Sequence, residues 1–133
     1  MDIPNVPLTA ARNLDLREEY GLLDEDDGPL DLTSCTLKME VRQYGAQPGL
    51  ALISLSEVTD DSQGIRVLDA AAGQIRIVIA KATLATLPGG PVGGTEPNQP
   101  DTFVYDLVID RPTPAEPLAM AGTFIVSPGV TVL

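Results

Sequence analysis

The residues of this chain that could do chemistry are its acids, 19 Asp and Glu against 8 Lys and Arg. Two carboxylates can run glycoside hydrolysis unaided, one as acid and one as base or nucleophile. Glu18/Glu19 and Asp26/Asp27 are the pairs on offer, and both are sequence neighbours on segments read as exposed. Exposed carboxylates keep ordinary pKa values, whereas acid–base work needs them pushed apart. A carboxylate-only hydrolase would also need a cleft, and a chain with three Tyr, two Phe and no Trp has few aromatics to line one. The acidic run 24–27 offers hard oxygen ligands, but its glycine and acids are not spaced as in an EF-hand loop. A solvated turn is the expectation there, with no metal and no cofactor. Histidine is absent, which removes the commonest general base and zinc ligand. Cys35 falls in phase with Leu37 and Met39, so its thiol is read as buried packing and not as a nucleophile. The reading is of a non-enzymatic protein.

A net charge of −11 with no two basic residues adjacent argues against nucleic-acid binding, which needs clustered Lys and Arg. The lone cysteine excludes an intrachain disulfide. The first eleven residues have neither a basic nor an apolar region of a secretory signal. No apolar run reaches the roughly 20 residues of a membrane helix. The expectation is a protein made and held in a cytoplasm, without a membrane partner.

A chain of 133 residues is one domain's worth. Its organising stretch is 31–42, where Cys35, Leu37, Met39 and Val41 alternate with Thr36, Lys38, Glu40 and Arg42. Period two is the signature of a strand with one buried face. Residues 50–56 repeat it through Ala51, Ile53 and Leu55, 65–68 through Ile65 and Val67, and 74–79 through Ile75, Ile77 and Ile79. Strands are also expected over 102–109 and 118–126, and a first one over 14–23 with Leu14, Leu16, Tyr20 and Leu22 inward. Asp, Gly and Pro clusters separate them, as turns require. Residues 80–87 are long enough only for one or two helical turns. The Gly- and Pro-rich segment 88–100 is read as a long exposed loop and 111–117 as a shorter one.

About seven short strands without crossover helices predict an all-β antiparallel sandwich over 14–133, preceded by an extended arm over 1–13. The predicted core is Leu37, Met39, Val41, Ile53, Ile75, Ile77, Tyr105, Leu107, Phe124 and Val126. On the outer faces Val104 and Val108 flank Asp106, and Val78 points outward likewise. With Ile3 and Val6 of the arm they form the candidate interface, because outward apolar residues mark either docking surfaces or faces covered by the chain's own loops. Edge strands present unpaired N–H and C=O groups that a neighbour's arm could complete.

Several of these segments form a familiar series. Asp31-Leu32-Thr33-Ser34, with Leu37-Lys38-Met39-Glu40-Val41-Arg42 after it, resembles the DLTG opening of small β-sandwich proteins of tailed bacteriophages and prophages. Gly73-Gln74-Ile75-Arg76-Ile77, the Thr83–Leu87 turn, Tyr105-Asp106-Leu107 and Gly122-Thr123-Phe124-Ile125-Val126-Ser127-Pro128 with Val130 and Thr131 are similar to the family's later motifs, in order. The resemblance spans about residues 14–131. Ser34 stands where the family has glycine, and 88–100 is longer than its tight turn. The resemblance implies an immunoglobulin-like or baseplate-upper-protein-like fold and a virion structural role as a tail, baseplate or tail-fibre connector or adaptor. Its partners would be other virion proteins and copies of itself, with no small-molecule ligand and no catalytic residues. Two alternatives stay beside it: a carbohydrate- or receptor-binding module, for which Tyr20 and Tyr44 are the aromatic candidates, and a capsid decoration protein.

Overall fold

The computed structural model describes residues 5–24, 26–88, 100–112 and 118–131. Eight strands and one short helix follow in the order β1 (Leu8–Ala11), β2 (Leu16–Gly21), β3 (Thr36–Arg42), β4 (Ile53–Ser56), β5 (Gly64–Asp69), β6 (Gln74–Ile79), α1 (Lys81–Leu84), β7 (Asp101–Asp110) and β8 (Leu118–Ser127). They form a five-stranded sheet, β1-β8-β7-β3-β4, and a three-stranded sheet, β2-β6-β5. The fold is an all-β sandwich, and the arrangement of β3, β7 and β8 against β2, β6 and β5 follows the immunoglobulin pattern. Two details of the expectation change. Among the described residues the strands number eight, and one pair is parallel: β1 lies along β8 with Leu8 opposite Phe124 and Ala11 opposite Ser127. The segment read as an arm is thus partly a strand of the sheet. Four residues between two prolines and Arg12 hold too little periodicity to announce it.

Every predicted core residue is buried, among them Met39, Val41, Ile75, Ile77, Leu107, Phe124 and Val126 with no measurable exposure. The core takes further members that lie outside any alternating run: Leu8, Leu30, Leu32, Leu84 and Leu87. Leu30 and Leu32 are positioned by backbone bonds, Leu30 N–H to the Leu22 carbonyl at 2.9 Å and Leu32 N–H to the Ala70 carbonyl at 2.8 Å. Leu14, expected inward, is 55% exposed in the β1–β2 connection. The strand expected over 50–56 begins only at Ile53, and Leu50 is 96% exposed.

Two motif positions acquire physical reasons. The Asp31 carboxylate accepts the Thr33 N–H at 2.9 Å and the Thr33 hydroxyl at 2.6 Å, and the Cys35 N–H closes the turn on the Leu32 carbonyl at 3.0 Å. Ser34, third in that turn, has φ 64°, the left-handed conformation a type II turn demands and glycine adopts without strain. Gly73 ends the β5–β6 hairpin at φ 68°, with the Leu22 and Leu30 carbonyl oxygens 2.7 Å from where a Cβ would stand. Any side chain there would push out the segment that carries Leu30.

Contacts outside the strand ladders tie separate segments together. Beside β4 and β5 the backbone bridges the sheets, with Val58 N–H on the Ile65 carbonyl at 2.9 Å. Past the end of β1, one side chain ties the β1–β2 connection to the segment around α1 and to β7. The Arg12 guanidinium donates to the carbonyls of Leu84 (3.2 Å), Leu87 (2.7 Å) and Pro88 (3.0 Å) and to Asp101 Oδ2 (3.1 Å).

Candidate interaction face

Pairing of β3 with β7 and of β7 with β8 sets out the outward residues of the five-stranded sheet in rows. Glu40 lies directly opposite Asp106, Arg42 opposite Val104, and Lys38 opposite Val108. Like charges directly opposite repel, and the Arg42 guanidinium offsets this with a 3.4 Å ion pair to Glu40. Its other nitrogen donates to the Gln47 and Gly49 carbonyls, both at 2.9 Å. These bonds hold the β3–β4 loop at the end of the face. Tyr44, on that loop, is 57% exposed. Between loop and sheet lies a shallow depression of about 300 Å³, lined by Glu40, Arg42, Tyr44, Val104, Asp106 and Ala121 among others. The arrangement can accept a partner's polar or cationic groups on its carboxylates and apolar groups on its valines.

The predicted interface residues part company. Val104 and Val108 share the outer face as parity requires, Val104 half-buried and Val108 38% exposed. Val78 is on the other sheet, opposite Arg17 and Gly64, half-buried. Val6 is half-buried and packs against the protein's own core, so it is not the free apolar contact expected of an arm. Ile3 and most of the 88–100 loop, residues 89–99, lie outside the described residues, as do 113–117 of the second loop.

Sequence reasoning missed what surrounds Val6. Its N–H donates to the Ala121 carbonyl at 2.8 Å, and its carbonyl accepts the hydroxyl of buried Tyr105. Gly122, opposite Tyr105, leaves a notch: a Cβ there would lie 2.6 Å from the Val6 oxygen. Burial, and secondarily Tyr20, pushes the Tyr105 phenol well above the usual tyrosine range, so it stays protonated and keeps donating. Gly122 itself was the available signal, a glycine inside an otherwise regular strand, which marks close backbone approach.

The outer face of the three-stranded sheet differs in charge. Arg66 stands directly opposite Arg76, and Asp61 Oδ1 accepts from both at 2.8 Å. Arg76 also pairs with Glu19 at 2.8 Å, and Arg17 lies 3.7 Å from Asp61.

The acids singled out as possible chemistry are dispersed. Asp24 Oδ1 accepts the N–H groups of Asp26 (2.9 Å) and Gly28 (3.0 Å), so its carboxylate shapes its own turn. Glu18 and Glu19 are exposed on β2. Among the described residues no three His, Cys, Asp or Glu are placed to hold a metal. Cys35 is half-buried, one residue ahead of β3, and not sunk in the core as its phase suggested. The turn at Ser34 delays the strand, and burial raises its thiol pKa above the ordinary value.

No protein-family model matches this chain, and no curated protein matches it either.

Proposed function

We propose that this chain is a non-enzymatic structural subunit of a bacteriophage particle, a connector or adaptor of the tail, baseplate or fibre region. It is made in the host cytoplasm and binds other virion proteins and copies of itself. Two things support this reading: the ordered series of motifs from Asp31 to Thr131, and the sandwich fold that such proteins share. The observation that carries a binding role is the outer row Val104, Asp106, Val108 on β7, apolar residues around a carboxylate on an open sheet face.

The test is a pair of outward substitutions made in one experiment. Val108→Asp adds charge to the row without touching the core. It is expected to leave the melting temperature within a few degrees and to cut co-purification with particle proteins at least tenfold, as losing a buried contact of about 1.4 kcal/mol or more would do. Incorporation equal to that of the unaltered chain rejects the face as the contact. Exposed Tyr44 beside the carboxylates favours a second reading, a saccharide-binding site. Tyr44→Ala, assayed for adhesion to host cells, separates the two: lost adhesion with normal incorporation selects saccharide binding.

A further inference from the structure

We propose that residues 5–11 are an exchangeable strand, and that the slot they fill on β8 accepts the same residues from a second copy of this chain. The proposal deepens the assembly reading above by naming one partner. The slot is specific. Leu8–Ala11 pairs in parallel with Phe124–Ser127, and Asn5 bridges Ala121. Gly122 leaves room for the Val6 backbone, the Tyr105 hydroxyl binds its carbonyl, and Leu8 is 3% exposed. A second copy's segment is the one occupant whose fit is already on the page, since the identical residues fit here.

Three features make exchange accessible. Apart from a local turn bond from the Leu14 N–H to the Ala11 carbonyl, the hydrogen bonds that hold residues 5–11 end on β7 and β8 among the described residues. The segment can therefore leave without unpairing β2 to β6. Arg12, the next residue, is tied independently by its guanidinium to Leu84, Leu87, Pro88 and Asp101, which makes it a fixed pivot at the root of the strand. The segment Asn5-Val6-Pro7-Leu8-Thr9-Ala10-Ala11 carries no charge. It can therefore approach a body of net charge −11 without adding like charge of its own. Exchange recreates the same contacts between two chains, so concentration decides which form prevails.

Thr9 and Ile125 are opposite one another in the β1–β8 pairing, at a separation a disulfide can span. Full-length chains carrying Cys35→Ser are made with Thr9→Cys in one and Ile125→Cys in a second, mass-tagged one. They are mixed at high concentration, incubated and oxidised with oxidised glutathione. A disulfide-linked heterodimer is expected as the main product. Adding Gly122→Val to the Ile125→Cys chain is expected to cut its yield at least tenfold. Where that variant does not fold, Tyr105→Phe, which removes only the hydroxyl, is expected to cut it severalfold. Absence of heterodimer in a mixture whose Thr9→Cys/Ile125→Cys double variant closes an intrachain disulfide would overturn exchange. Undiminished yield in the folded slot variant would overturn the slot. These outcomes come from purified protein and stay distinct from incorporation into particles, so either proposal can fail without the other.

Discussion

The charge clusters around Arg12 and around Asp61 both hold arginines, and burial separates them. Around Arg12 the guanidinium and Asp101 side chains are 11% and 8% exposed, four hydrogen bonds converge on one side chain, and Arg12 Nε is buried without a partner among the described residues. Around Asp61 the carboxylate is 58% exposed and serves Arg66, Arg76 and Arg17 at once. The first cluster ties the β1–β2 connection to the segment around α1 and to β7. The second relieves repulsion between arginines on a wet face. Equal charge pairs are thus unequal in consequence, because water screens one and is kept from the other.

The comparison breaks most readily at Arg12. Arg12→Ala takes the cation from a buried carboxylate and the donors from three carbonyls, and is expected to cost about 3–4 kcal/mol. A lowered urea midpoint with unchanged slope would register it, and a loss under about 1 kcal/mol would deny Arg12 this tying role. Asp61→Asn is expected to cost only about 0.5–1 kcal/mol, the range of exposed pairs. Molar salt should erase most of that smaller loss and little of the larger one, since screening reaches only exposed charges.

The smallest effect is one of pH. Asp31 and Asp60 are fully exposed, yet hydrogen bonds hold both carboxyls below the ordinary aspartate value, from Thr33 and Ser62 respectively. A depressed folded-state pKa contributes stability that is complete above the unfolded value of about 3.9 and is lost as pH falls through the folded one. Melting temperatures between pH 5 and pH 2 should therefore decline, and Asp31→Asn should flatten part of the slope. Carboxyl NMR titration would locate both groups directly.

Legibility followed the same line between local and distant causes. Strands β3, β6, β7 and β8 were readable to within a residue or two because their alternation is carried by neighbours in sequence. Strand β6 agrees with its expected bounds, and β8 runs one residue past them. The outward placement of Val104 and Val108 was readable by parity alone. The opposition of Glu40 to Asp106, and of Arg66 to Arg76, was not, since register between distant strands leaves no periodic trace. Nor was Arg12, a single cation in an unpatterned segment whose four acceptors lie more than 70 residues away.

By itself the sequence determined an acidic all-β sandwich, its turn positions and which face of each strong strand meets the core. Side-chain period and turn chemistry are properties of adjacent residues, and they survive without knowledge of the fold. Only the tertiary structure decided that residues 8–11 are a parallel strand, that Gly122 is a notch for Val6, and that one arginine ties the β1–β2 connection to the α1 segment and β7. Those three rest on contacts between segments far apart in the chain, where close approach of backbones and desolvation of charge, and not local propensity, set the outcome.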